Sequence, residues 1–298
     1  YCFETDEKLL FSGDNQNYSE ALSEWSVSGP YEGKEANESF ANLKSISAKK
    51  IPARLNPAIR VTIEPFKTSL DVTSAFPVEL PSQADDYQVI YDFGGVVTGY
   101  PVFDFISETG LETIDISFSE MLYDNRVLPA PYGSLNFSDQ IKLKKGKNHF
   151  ESNFLYKGFR YLCLTIRNSK NKLALENLKL RRYRYPLEIN SKFTSSDPML
   201  DKIWNIGIYT LMCCMSDAYM DCPSREQAFY TGDLTAELLT NLYVSRDARL
   251  AASNLRFVPL NQYDSGFFCA VFPRRDGDES DVLLDQNMDI ITNTLNYV

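Results

Sequence analysis

Histidine is nearly missing from this chain: His149 is the only one among 298 residues. It lies in the polar stretch "KKGKNHF", where a turn-flanking surface position is expected, so histidine-based triads and histidine-ligated zinc have almost no material to be built from. Positive charge is also in short supply, with 30 Lys and Arg against 40 Asp and Glu and a net charge of -10. A phosphate backbone is held by clustered cations that release counterions, so nucleic acid is disfavoured and a neutral or weakly charged ligand fits better. No apolar run approaches the roughly 20 residues that a membrane-spanning helix requires. Hydrophobic residues at 44% and charged residues at 23% are ordinary for a globular protein in water. Cys2, Cys163, Cys213, Cys214, Cys222 and Cys269 fall into no paired Cys-x-x-Cys frame. Cys213 and Cys214 sit inside an apolar helical pattern, so mostly buried free thiols are expected, with no metal site and no cofactor.

What is present divides the chain into stretches of different character. Its length allows about two domains at roughly 150 residues each. Residues 1–67 are polar and irregular, with "SGPYEGKEANES" and "IPARLNPAI" where a period should be; Trp25 and "IRVTIEP" read as strand remnants of something upstream. The first residue is Tyr1 rather than Met, and no signal-peptide pattern follows, so the start is expected to be processed or cut away. From about 68 to 190 the period is two. In "ETIDISFSE", Ile114, Ile116 and Phe118 alternate with Thr113, Asp115, Ser117 and Ser119; "RYLCLTIR" repeats this with Leu162, Leu164 and Ile166. Breaks at Gly110 and Gly146 and a long loop in "LPAPYGSLNFSDQ" suit hairpins. An antiparallel β-sandwich of two sheets is expected.

From 191 to 298 the period becomes helical. Pro198 suits a first turn with Ser196 or Asp197 as cap, and Leu200, Ile203, Trp204, Ile208, Leu211 and Cys214 recur at steps of three and four. A second helix follows "YTGD", with Thr231 as its expected cap and Leu234, Leu238 and Leu242 on one face. A third is placed at about Asp247 to Leu255, and a last from Leu284 to Val298. Strands followed by helices point to two separate domains. Asn17, Asn37 and Asn136 begin glycosylation sequons, which matter in a glycosylating host.

Between the first two helices stands "DCPSREQAFYTGD", Asp221 to Asp233, with three carboxylates, an arginine and two aromatics in thirteen residues. Pro223 forces the chain away from helical dihedrals before it, so the segment leaves the helix as a shaped turn. Asp221, Glu226 and Asp233 are then presented together. Mutual repulsion and desolvation by Phe229 and Tyr230 would raise at least one of their proton affinities, as a general acid requires. Aromatic faces beside carboxylates suit sugars. The alternative is a plain capped loop, in which Asp233 complements a helix dipole and Arg225 pairs with Glu226 at the surface. Spacing alone leaves both open.

The same residues carry a resemblance. "YMDCPSREQAFYTGD" is similar to the signature of the bacterial α-L-rhamnosidases, with "DCP", a Glu five residues after the Asp and a "GD" ending twelve residues after it. "VIYDFGGVVTGYPVFDF", "IDISFSEML", "FLYKGFRYLCLTIRN", "RRYRYPLE" and "FTSSDPMLDKIWNIGIYTLMCCMSDAYMDCP" resemble, in order, the β-sandwich before the family's (α/α)6 barrel and that barrel's first helix, over about Gln88 to Ser245. The resemblance implies a β-sandwich at 68–190 and the opening helices of an (α/α)6 toroid at 191–298. It implies hydrolysis of terminal α-L-rhamnosyl residues with inversion, with Glu226 as general acid. Asp221 and Asp233 would bind rhamnose hydroxyls, Tyr230 would belong to the substrate pocket, and Arg225 would support. The partner implied is a rhamnose-containing glycoside or polysaccharide, and that substrate class favours a periplasmic or extracellular location. The family's base lies beyond Val298, while Asp276, Asp278, Glu279 and Asp281 in "RRDGDESD" read as a solvated loop. The toroid would then be unfinished and the chain part of a larger enzyme, with apolar helix faces uncovered. A non-catalytic carbohydrate-binding protein and an (α/α)6 hydrolase of another sugar stay open as alternatives.

Overall fold

The computed structural model describes residues 59–63, 67–68, 76–82, 86–127, 137–152, 154–272 and 281–298. Trp25, the three sequons and Asp276, Asp278 and Glu279 lie outside the described residues. Nine strands join in one hydrogen-bonded antiparallel sheet: β1 (Ile59–Ile63), β2 (Lys67–Thr68), β3 (Val78–Leu80), β4 (Tyr87–Ser107), β5 (Thr113–Ser119), β6 (Ser138–Lys142), β7 (Gly146–Glu151), β8 (Lys157–Arg167) and β9 (Leu173–Arg184). The main path runs β1-β9-β4-β8-β5-β6. The run "IRVTI" is thus a strand paired with β9, Ile59 facing Arg184.

Strand β4 explains why one bonded path replaces two separate sheets. Its 21 residues serve different neighbours at its two ends: Tyr87 to Asp92 pair with β8, whereas Gly99 to Ser107 pair with β9 and Val102 to Ser107 also with β7. Between Asp92 and Val97 the register slips, as a bulge does when a strand must bend. The Asp92 carboxylate fastens this bulge, accepting from the Gly94 amide at 2.8 Å and from Arg160 Nε and Nη2 at 2.9 Å each. Val89 and Tyr91 from one end and Phe103 and Phe105 from the other then share one apolar core with Ile114, Ile116, Leu162, Leu164, Leu175 and Leu178. Burial of each such side chain contributes about 1.5–3 kcal/mol.

The alternation read in β5 holds for Ile114, Ile116 and Phe118, but Ser117 and Ser119 are buried as well, and Ser117 Oγ meets Ser138 Oγ at 2.9 Å. His149 is an exposed residue of β7, just past the break at Gly146 as expected, with Nδ1 2.6 Å from Asp104 Oδ1.

Four helices are seen among the described residues: α1 (Pro198–Cys213), α2 (Asp233–Val244), α3 (Arg249–Phe257) and α4 (Leu284–Tyr297), with a 3₁₀ turn at Val258–Asn261 and a two-strand ribbon of β10 (Phe229–Tyr230) and β11 (Val271–Phe272). Asp197 caps α1, its Oδ1 accepting from the Met199 amide at 2.8 Å, and Pro198 takes the first turn. Thr231 does not cap α2; Gly232 stands at the N-cap without a side-chain bond. Thr231 is drawn instead to the ribbon and α4, its Oγ1 meeting the Ala270 carbonyl at 3.4 Å and Gln286 Oε1 at 3.3 Å. Leu211, Tyr219, Phe229, Leu234, Leu238, Leu250 and Val258 form a second core. α2 packs on both α1 and α4.

Of the apolar α1 stripe, Leu211 and Cys214 are buried while Leu200 and Ile203 are exposed; Met199 and Ile206 beside it are exposed too, as are Leu284, Met288, Ile291 and Leu295 along α4, so apolar helix faces are uncovered. No described helix is long and apolar enough to cross a membrane. Sheet and helices meet where the β4 bulge receives α1. Tyr209 donates to the Val96 carbonyl at 2.5 Å, and the Tyr185 amide donates to the Met215 carbonyl at 2.8 Å.

Candidate active site

After α1 the chain turns sharply, and Asp221 closes the turn on itself. Its amide donates to the Ala228 carbonyl at 3.0 Å, while its Oδ1 accepts from the Ala228 amide at 3.1 Å. Gln227 adopts a positive φ of 55° at the corner, and its Nε2 donates to the Pro223 carbonyl at 2.7 Å. This pinned turn projects Arg225 and Glu226 outward while the chain continues into β10. Phe229 goes inward to the second core instead of lining the site, and Tyr230 faces Glu226.

The carboxylate of Glu226 is held from both sides. Tyr230 donates its hydroxyl to Oε2 at 2.5 Å, and the Arg225 guanidinium forms an ion pair with Oε1. The surface pair foreseen in the plain-loop reading therefore exists, but inside an acid cluster. Glu226 is exposed at the surface, with 32% of its side chain accessible, and is not enclosed in a crevice. Its charge and that of Asp221 both act on Asp233, whose proton affinity is raised first by partial burial of the carboxyl and then by these two charges. The three acids singled out in the sequence are thus brought together at the start of α2, with Arg225 and Tyr230 beside Glu226.

Sequence reading missed a fourth acid, Glu237. It follows Asp233 by one helical turn on α2, so its side chain lies on the same face. Burial, then the charges of Asp233 and Asp221, push its carboxyl up to about 9. The expected rise in proton affinity thus falls on Asp233 and, above all, on Glu237. Helical spacing projected onward from Asp233 would have pointed to it.

The sheet braces this loop, which the sequence also did not reveal. Ser224 donates to Glu120 Oε1 at 2.6 Å, and Gln227 Nε2 reaches the Tyr156 carbonyl at 3.3 Å. Gly158 in β8 lies so near the loop that a Cβ there would stand 2.2 Å from the Pro223 carbonyl oxygen. All five described cysteines are free and four of them are buried; burial pushes Cys213 to about 11 and Cys214 to about 12, away from the reactive thiolate form. Among the described residues no group of three or more His, Cys, Asp or Glu is placed to hold a metal ion.

In chemical terms the arrangement offers anionic acceptors, a phenol and a cation around one partly exposed carboxylate, a set suited to polyhydroxylated ligands. Residues 82–181 match the bacterial alpha-L-rhamnosidase concanavalin-like domain, and residues 188–286 match the bacterial alpha-L-rhamnosidase 6 hairpin glycosidase domain. The sequence is 24% identical over 237 residues to an alpha-L-rhamnosidase of Formosa agariphila, covering 76% of this chain and 23% of that protein. The chain therefore spans less than a quarter of that relative's length. Among solved structures, the GH78 family rhamnosidase of Bacillus sp. GL1 is similar at a TM-score of 0.68 and 28% identity, covering 76% of this chain and 23% of that one. The rhamnosidase from Klebsiella oxytoca with rhamnose bound shares the fold at a TM-score of 0.69 and 22% identity, covering 82% and 53%.

Proposed function

Because the chain belongs to the bacterial α-L-rhamnosidase family, we propose that it forms the acid-bearing part of a glycoside hydrolase that releases terminal α-L-rhamnosyl residues from glycosides or polysaccharides with inversion. The expected β-sandwich at 68–190 extends back to β1 at Ile59, and α1 to α4 open an (α/α)6 toroid over 191–298. The observation that carries the reading is the convergence of Asp221, Glu226 and Asp233, with Arg225 and Tyr230, inside the stretch matching the hairpin glycosidase domain.

Glu226 is the general acid, protonating the glycosidic oxygen as the bond to the leaving group breaks. Both of its oxygens are occupied in the free site, by Tyr230 and Arg225. Arg225 is the more exposed partner; when it yields to an arriving glycosidic oxygen, the carboxylate loses its ion pair and takes up from water the proton that it then donates, while Tyr230 keeps the carboxyl aimed. Asp221 and Asp233 accept hydrogen bonds from rhamnose hydroxyls and stabilise positive charge developing on the ring. Inversion requires a second carboxylate, roughly 6.5–9.5 Å from the first, to activate water on the opposite face. We assign that base to a part of the enzyme outside these 298 residues.

The test uses the full-length protein and an aryl α-L-rhamnoside. Glu226→Gln lowers kcat by about 10²- to 10⁴-fold while calorimetry still detects rhamnose binding, and NMR of the first product finds the inverted anomer. An undiminished rate in the Gln variant removes Glu226 from the mechanism, and a retained anomer removes inversion. Turnover on a different aryl glycoside with none on the rhamnoside removes the sugar assignment. Sugar binding without turnover on any of them leaves a carbohydrate-binding protein.

A further inference from the structure

The one fully buried residue of α4 is an amide, Asn293. Its Nδ2 donates to the Thr231 carbonyl at 3.2 Å, while its Oδ1 is buried without a hydrogen-bond partner among the described residues. A half-satisfied buried amide is costly where an apolar side chain would pack without that penalty. Two turns earlier, on the same face of α4, stands Gln286. Its Oε1 accepts from the Gly232 amide and from the Thr231 hydroxyl, each at 3.3 Å. The two side chains together hold both poles of one peptide unit, the carbonyl of Thr231 and the amide of Gly232.

The chain on either side of that peptide is fixed as well. The Thr231 amide donates to the Ala270 carbonyl at 2.9 Å, and the Gly232 carbonyl accepts from the Thr235 amide at 3.1 Å as α2 begins. Gly232 lets the peptide lie directly against α4, for a Cβ there would stand 2.8 Å from Gln286 Cγ and Cδ. Tyr230, which donates to Glu226, immediately precedes the held peptide, and Asp233 immediately follows it. Its orientation therefore sets the angle between the residue that aims Glu226 and the next acid of the site.

On the rhamnosidase reading of the site, we propose that Gln286 and Asn293 are positioning residues for Asp233. They act through the Thr231–Gly232 peptide, so that the Asp233 carboxylate meets a sugar hydroxyl while Tyr230 keeps hold of Glu226. Neither side chain touches the sugar.

The test uses the full-length protein and an aryl α-L-rhamnoside. Gln286→Met keeps the length of the side chain and loses the acceptor; it lowers kcat/KM about tenfold, chiefly through KM, as the loss of one or two hydrogen bonds allows. Asn293→Leu, which loses the donor at similar size, does the same. On an Asp233→Ala background no carboxylate is left to aim, and either change then costs less than about twofold more in kcat/KM or in calorimetric rhamnose affinity. A loss that multiplies in full on that background is a general weakening of the fold and overturns the proposal, as do two single variants with unchanged kcat/KM.

Amide hydrogen exchange separates this from a failure of the rhamnosidase reading. In Gln286→Met the Gly232 amide exchanges about tenfold faster, while the amides further along α2 keep their protection. An unchanged Gly232 amide, or equal acceleration along all of α2, overturns the proposal whether or not a rhamnoside is cleaved. Local acceleration without turnover of the rhamnoside sinks only the substrate reading.

Discussion

The Asp247 carboxylate accepts from Arg249 Nε at 2.8 Å, from Arg249 Nη2 at 2.6 Å and from the Tyr185 hydroxyl at 2.8 Å, so one side chain links the end of the sheet to the start of α3. These bonds, the guanidinium first, hold it down to about 2, against a usual 3.8. A depressed folded value means that the stabilisation is complete above pH 4 and disappears as pH falls toward 2. Asp247→Asn is expected to cost about 1–2 kcal/mol at pH 7, with the gap from wild type closing between pH 4 and pH 2 in urea titrations. At this scale the sequence was informative about chemistry and poor about environment. Asp221, Glu226 and Asp233 are visible because they crowd a proline turn. Glu237 hides in an ordinary amphipathic helix, where burial of its carboxyl depends on neighbours that no local pattern names. Phe229, an equally visible aromatic, serves the core.

Elements with strict periodicity are where the sequence reads best. β5 and β8 follow their alternating apolar residues, α1 begins at its Asp-Pro cap, and α4 spans Leu284–Tyr297 much as its spacing predicts. β4 was harder, because a bulge interrupts its alternation and lets one strand bond to different partners at its ends. The Thr231 cap failed for a related reason: the hydroxyl had two competing acceptors, both far away in sequence. The sheet-to-loop brace, equally distant, is accessible to mutation. Gly158→Ala forces a methyl group against the Pro223 carbonyl, and an overpacked contact of this kind costs about 1–3 kcal/mol, measurable as a lower urea midpoint. Ser224→Ala removes the bond to Glu120 and is expected to cost about 1 kcal/mol. In the full-length enzyme its kcat should fall several-fold with KM little altered, since the loop's aim changes more than its binding groups do.

At the scale of the whole molecule, charge and surface pull in opposite directions. A net charge of -10 favours dispersal, yet the exposed stripes Met199, Leu200, Ile203 and Ile206 on α1 and Leu284, Met288, Ile291 and Leu295 on α4 favour association. The 298-residue chain alone is therefore expected to scatter light as species larger than 34.0 kDa and to bind a dye that reports apolar surface. Replacing Met288 and Ile291 by Glu and Lys should shift it toward monomer in gel filtration; an unchanged profile would mean that α4 is not the sticky face. The near-contact of Gly158 with Pro223 has a further consequence for protein engineering. The acid turn and the strand beneath it form a single cassette, so transplanting the turn into another scaffold without its underlying glycine would leave Glu226 and its neighbours with no floor to rest on.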